Sequence, residues 1–244
     1  LAAQIDVRAS MAEPARDAEI NVVGSINVFS AAAASGVRRV INTSTGGAIY
    51  GEGAPLPTPE TTTSRPLSAY GLSKHTAEQY AGWFRLAHDL DVITLRYGNV
   101  YGPRQDPAGD AGVIAIFCSR LLNGLRPVIF GDGRQTRDYV FVRDIVAANL
   151  AAAGAQGLVH SIFNVGTGHE VSVRELVDAV AAAAGVDPAS FQPEMRPPRA
   201  GEVLRSCLDI TRARQELQLD EPTPLSAGLE ATLDWLGRRQ PATH

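Results

Sequence analysis

Lysine is almost missing from this chain. Of its 22 lysine and arginine residues in 244, one is lysine, Lys74. Cysteine is scarce as well: Cys118 and Cys207 cannot build a disulfide framework, so a reducing cytoplasm is the default compartment. Excess positive charge is absent. A formal net charge of −4 argues against a nucleic-acid-binding surface and a polybasic membrane patch. No apolar run approaches the roughly 18 residues of a spanning helix. The histidines His75, His88, His160, His169 and His244 lack metal-ligand spacing, so no metal is expected. A leading methionine and a charged leader are lacking too. The chain starts Leu1-Ala2-Ala3-Gln4, which reads as the tail of a buried strand whose preceding section is absent.

What is present is the balance of a globular protein, 45% hydrophobic and 20% charged. Pro14 to Ser35 carries a helical pattern, with Ile20, Val23, Asn27 and Val28 at three- and four-residue steps. Val37 to Thr43 is short and β-branched, hence a strand. Residues 46–66 are rich in glycine and proline and read as loop. Ser68 to His88 is a second amphipathic helix, striped by Ala77, Tyr80, Ala81, Phe84 and Ala87. Strands follow at Val92–Tyr97, 128–130, 139–142 and 162–165. Helices follow at 112–123, 143–153, 173–184, 211–217 and 226–238. Alternating strands and helices mark an α/β protein with a parallel sheet.

The lone lysine is the most informative residue. In a chain that uses arginine almost everywhere, Lys74 should sit where a compact ammonium serves and a planar guanidinium does not. It follows Tyr70 by four residues in Tyr70-Gly71-Leu72-Ser73-Lys74, so both side chains share a helix face. A unit charge ~4 Å away is worth about 4 kcal/mol at an effective dielectric of 20, or up to ~3 units of tyrosine pKa. A phenolate poised near neutrality takes a proton from a sugar or alcohol hydroxyl and returns it. The bland alternative is an ordinary helical neighbour pair. Upstream, a strand ends in Asn42-Thr43-Ser44-Thr45 before Gly46-Gly47. A hydroxyl at a strand's carboxyl end faces the crevice where α/β sheets bind ligands. Serine and threonine also favour strand ends for local reasons.

An ordered set of motifs runs through the chain: Leu-Ala-Ala-Gln; Thr43-Ser44-Thr45 then Tyr50-Gly51; Tyr70 and Lys74; Leu95-Arg96-Tyr97-Gly98-Asn99-Val100-Tyr101-Gly102-Pro103-Arg104; and Gly131-Asp132-Gly133 leading to Thr136-Arg137-Asp138-Tyr139-Val140. It resembles the extended short-chain dehydrogenase/reductase family, nearest the nucleotide-sugar 4-epimerases of the UDP-glucose 4-epimerase type. The resemblance implies a Rossmann-like doubly wound parallel sheet, over 1–102 and 137–184, that binds NAD. A smaller α+β domain, over 103–136 and 185–244, would hold a nucleotide-diphosphate sugar. It implies Thr45, Tyr70 and Lys74 as the catalytic set, with Tyr70 the acid/base. Ala2, Ala3, Gln4, Thr43, Tyr97 and Val100 join Tyr70 and Lys74 against the cofactor. Thr45, Asn99, Val113, Ile129, Phe130, Arg137, Arg199 and Glu202 are implied for the substrate, the two arginines clamping the diphosphate. It also implies a homodimer through helices 14–35 and 68–88. The apolar stripes on those helices equally suit packing on the sheet.

Two departures accompany the resemblance. The Thr45-to-Tyr50 spacing is one residue longer than in many members, which keeps Ser44 as a second candidate hydroxyl. The family's glycine-rich phosphate loop and its first strand and helix are missing, so roughly 60–70 further residues are expected upstream, by the length of two βαβ units. A truncated, inactive fragment that binds NAD poorly is therefore one alternative. The other is a dehydratase or reductase on the same scaffold. Related dehydratases place Asp-Glu directly after the catalytic threonine. Gly46 and Gly47 stand there instead and supply no proton-shuttling carboxylate. They leave room for a keto-sugar to rotate, or equally suit a tight turn with positive φ.

Overall fold

The structure, a computed structural model, describes residues 2–107, 112–198 and 203–238. Asp6 caps α1 (Val7–Ala12) by accepting from the N–H groups of Arg8 and Ala9. Residues 2–6 form no strand, which corrects the expected strand tail. The Gln4 N–H donates to Asn21 Oδ1 at 3.0 Å and its carbonyl accepts from Asn21 Nδ2 at 2.9 Å. A side-chain amide thus supplies the donor and acceptor that a neighbouring strand would have offered.

The expected helix 14–35 forms as α2 (Pro14–Ala18), a π-helical turn over Glu19–Val23, and α3 (Gly24–Ala34). Such a turn changes which side chains face inward. Asp17, Asn21, Phe29 and Ala32 are buried, while Ile20, Val23, Asn27 and Val28 are exposed. The apolar stripe therefore does not pack on the sheet.

Next come β1 (Arg39–Thr45), α4 (Gly46–Ile49), α5 (Ala69–His88), β2 (Asp91–Tyr97) and β3 (Asn99–Tyr101). The short helix α4 lies in the stretch read as loop. Gly46 is buried under Leu208, where a Cβ would come within 2.6 Å of the leucine methyls. Neither Gly46 nor Gly47 has a positive φ, so the tight-turn reading of the pair is corrected. Ser68 caps α5 by accepting from the Gly71 N–H. Ala81 and Phe84 pack against Phe29, Ala32, Leu90 and Val92 and Ala77 is buried, while Tyr80 and Ala87 of the expected stripe stay exposed.

The remainder comprises α6 (Val113–Leu122), β4 (Val128–Phe130), β5 (Thr136–Arg137), β6 (Tyr139–Phe141), α7 (Val142–Gly154), β7 (Ile162–Val165), β8 (Val171–Ser172), α8 (Val173–Ala183), β9 (Glu194–Arg196), α9 (Thr211–Glu216) and α10 (Leu225–Gly237). Among the described residues the main sheet has the order β1-β2-β7, all parallel. It carries α5 against β1 and β2 on one side, and α7 on the other face through Ile145, Ala148 and Ala152. Short ladders join β3 to β6, β4 to β9 and β5 to β8. A second core gathers α6, α8 and α10 around Phe117, Leu176, Val180 and Leu229. Helix α8, assigned from sequence to the cofactor half, buries its apolar face there. Cys118 is a fully buried member of the same core.

Candidate active site

The carboxyl end of β1 sets the first part of the site. Pleating turns Thr43 and Thr45 to one face and Ser44 to the other. Ser44 is 3% exposed and its hydroxyl has no partner among the described residues. The Thr45 hydroxyl lies close enough to the Tyr70 phenol to act on it, drawing its pKa down, so Thr45, not Ser44, is the hydroxyl beside the tyrosine. Helix α5 delivers Tyr70 in its first turn and Lys74 one turn later. The Tyr70 N–H donates to Ser10 Oγ at 3.0 Å, tying α5 to α1. Beneath them, Arg96 forks onto the Glu78 carboxylate, with Nη2 2.5 Å and Nε 3.0 Å from its oxygens. Arg96 Nη1 also donates to the Tyr50 hydroxyl at 2.8 Å, and that hydroxyl donates to Asn164 on β7. This buried network fixes α5 over the sheet.

Burial dominates the electrostatics here. It raises the Tyr70 pKa; the Thr45 hydrogen bond works against it and the Asp17 charge adds to it. Burial also lowers the Lys74 pKa, and Asp17 opposes that. Lys74 Nζ donates to the Thr43 carbonyl at 3.1 Å. One hydrogen of three is used in that bond, which leaves an ammonium two further donors. That donor set fits the vicinal hydroxyls of a ribose. Gln4 is tied to the same side through Asn21. Ala3 is half-buried and Ala2 exposed just before it. Tyr97 is placed differently from the other cofactor candidates: it is 8% exposed, its ring packs with Leu95, Val140 and Ile145, and its hydroxyl accepts from Asn149 Nδ2 at 2.7 Å. Val100 packs on that same core.

A cavity of about 180 Å³ adjoins the sheet end. It is lined by the expected Asn99, Val113, Ile129, Phe130 and Arg137, and also by Val128, Gln135, Tyr139 and Val173. Gly47 is the junction between the two parts. A Cβ built there would lie 3.4 Å from Asn99 Oδ1, 3.9 Å from Thr45 Oγ1 and 4.0 Å from Ser206 Oγ. Arg137 has no carboxylate partner among the described residues and donates only to the Thr136 carbonyl. The Tyr139 hydroxyl, on a residue 5% exposed, is likewise unpartnered. Its place two residues after Arg137 in an extended segment was the available sequence signal, since alternation puts both on one face. Arg199 and Glu202 lie outside the described residues.

Asp138, on the opposite face, is fully buried. Its carboxylate accepts from the N–H groups of Thr167, Gly168 and Leu208 and from the Thr167 hydroxyl. Burial raises its pKa while these bonds lower it. A long-range stitch closes the roof: the Thr58 N–H donates to the Cys207 carbonyl and the Asp209 N–H to the Thr58 carbonyl, both at 2.9 Å.

Comparison with known proteins places the chain in a family. The chain belongs to the NAD dependent epimerase/dehydratase family, whose model matches residues 1–166. It is 47% identical to a UDP-glucose 4-epimerase of Mycolicibacterium smegmatis over 96% of this chain and 74% of that protein. It is 33% identical to a dTDP-glucose 4,6-dehydratase of Streptomyces griseus over 96% of this chain and 70% of that protein. Among solved structures, the UDP-glucose 4-epimerase of Thermotoga maritima with UDP-glucose superposes with a TM-score of 0.93, at 44% identity, over 98% of this chain and 76% of that one. The Thermus thermophilus UDP-glucose 4-epimerase in complex with NAD gives 0.87 at 39% identity over 96% and 75%.

Proposed function

We propose that the protein is an NAD-dependent nucleotide-sugar 4-epimerase that inverts C4 of a UDP-hexose of the glucose/galactose type. The observation that carries this is Gly47: at the point where Thr45, Asn99 and Ser206 converge, the chain presents no side chain and no acid. A dehydratase on this scaffold needs a carboxylate there to move the C5 proton. Tyr70, acting as its phenolate, takes the C4 hydroxyl proton and becomes the phenol, with Thr45 orienting the same oxygen. NAD, held by Tyr70 and Lys74, would supply a reversible hydride acceptor for C4. The 4-keto sugar turns in the space beside Gly47, and Tyr70 returns the proton to the oxygen after the opposite face has been reduced. Net redox is zero. Arg137, with Tyr139, holds the diphosphate through charge-assisted bonds, and Val113, Ile129 and Phe130 border the base. Residues 1–102 with the β6–α7–β7 segment form the cofactor side, and the second core around α6, α8 and α10 the sugar side.

The test is incubation with UDP-glucose, UDP-galactose and their N-acetyl forms, with C4 configuration read by proton NMR. Interconversion of at least one pair is expected. Accumulating NADH or a dehydrated sugar, with no C4 inversion, overturns the proposal. The exposed side chains Ile20, Val23, Val28, Leu72 and Trp83 lie on α5 and the helices packed beside it. They support a homodimer through helices 14–35 and 68–88; sedimentation at the monomer mass overturns that part.

A further inference from the structure

The strap of residues 203–209 runs over both parts of the site. Leu208 covers Gly46, and Ser206 Oγ comes within 4.0 Å of a Cβ built at Gly47. Leu204 and Arg205 line a cavity of about 640 Å³ that shares Phe130 and Gln135 with the smaller one holding Arg137. Surface and main-chain bonds tie the strap's flanks. The Leu204 N–H donates to Glu52, the Thr136 N–H to the Leu204 carbonyl, and Arg205 to Glu170. A buried carboxylate ties the centre: the Leu208 N–H donates to Asp138 Oδ2 at 3.2 Å. Asp138 is 0% exposed. Its Oδ2 also accepts from the Gly168 N–H at 3.2 Å, and its Oδ1 accepts from the Thr167 N–H and hydroxyl, both at 2.7 Å. Four donors thus converge on two oxygens, a demand that a carboxylate meets and an amide does not. Room for the group is kept by Gly166, where a Cβ would lie 2.4 Å from Oδ2.

We propose that Asp138 is a positioning residue that seats the strap, through the Leu208 N–H, as the roof under which the nucleotide sugar is held. The proposal rests on the epimerase site assigned above. Alternation turns Asp138 away from the face that carries Arg137 and Tyr139, so it acts on the ligand only through the strap. In Asp138→Asn the amide oxygen keeps the two shorter bonds to Thr167. The NH2 group then faces the Gly168 and Leu208 N–H groups, donor against donor, and the strap loses its seat. Thr167→Val is the contrasting change. It takes a bond from Oδ1 and leaves the Leu208 bond in place.

The test uses UDP as the probe, with its affinity read by calorimetry. In Asp138→Asn the UDP Kd and the KM for UDP-glucose are expected to rise about tenfold, the scale of one buried N–H left unpaired, with kcat changed far less. Hydrogen exchange at the Leu208 amide should quicken in the same variant. In Thr167→Val the melting temperature should drop while UDP affinity and Leu208 exchange stay near wild type. An unchanged Kd in Asp138→Asn, or losses of UDP affinity in the two variants that simply follow their melting temperatures, overturns the proposal. Should Asp138→Asn fail to fold, the wild type gives the answer: UDP is expected to slow exchange at the Leu208 and Gly168 amides together, and an unresponsive Leu208 amide overturns the proposal. Absence of C4 inversion in the wild type would defeat the epimerase assignment while leaving the UDP titrations readable.

Discussion

At the sheet end, Tyr70 and Lys74 are largely enclosed, and Asp17 lies buried close enough for its charge to act on both. In the adjoining cavity the opposite holds among the described residues: Arg137 donates only to the Thr136 carbonyl, and the Tyr139 hydroxyl has no partner. The contrast separates two chemical tasks. Proton transfer needs groups whose affinities are moved by desolvation and neighbouring charge. Anion recognition needs a charge left uncancelled until the ligand arrives. The first region sets its side chains on long regular elements, the second on strands of two or three residues.

The largest break in that comparison is expected from Tyr70→Phe, which removes the proposed acid/base and keeps the ring. Turnover should fall about a hundred- to ten-thousand-fold with the melting temperature near wild type. Glu78→Gln leaves the Arg96 charge buried without its counter-ion and should destabilise by about 3 kcal/mol in urea denaturation. Arg137→Ala should raise KM about ten- to a hundredfold and disturb kcat far less, because it removes a charge-assisted contact made before and during reaction. Gly46→Ala drives a methyl against Leu208 and should cost about 1–3 kcal/mol, seen as a lower melting temperature. The smallest effect, about 1 kcal/mol, is expected from Ser68→Ala, which removes the cap of the helix carrying Tyr70.

The sheet end was legible where periodicity was regular. The helix from Ser68, the Tyr70–Lys74 spacing and the strand ending at Thr45 all lie in sequence as they lie in space. Much of the cavity was legible only through family motifs, because β4, β5 and β6 are too short to show alternation. Asp17 and the outward turn of Ile20, Val23 and Val28 were illegible. A π-helical turn leaves no composition signal, yet it changes which side chains meet α5. Helix α1 was missed although Asp6 is a good cap, since six residues carry little periodicity. The two glycines were half legible: Gly47 opens onto the site, whereas Gly46 serves packing against a residue more than 160 positions away.

The Thr58 bonds to Cys207 and Asp209 have a consequence for biosynthesis. Loop closure over such a separation is entropically expensive and comes late. As the chain leaves the ribosome, α5 and its sheet strands can dock long before residues 206–209 emerge, so the Tyr70–Lys74 pair is assembled under an open roof and acquires its shelter from water only once that later segment has been made.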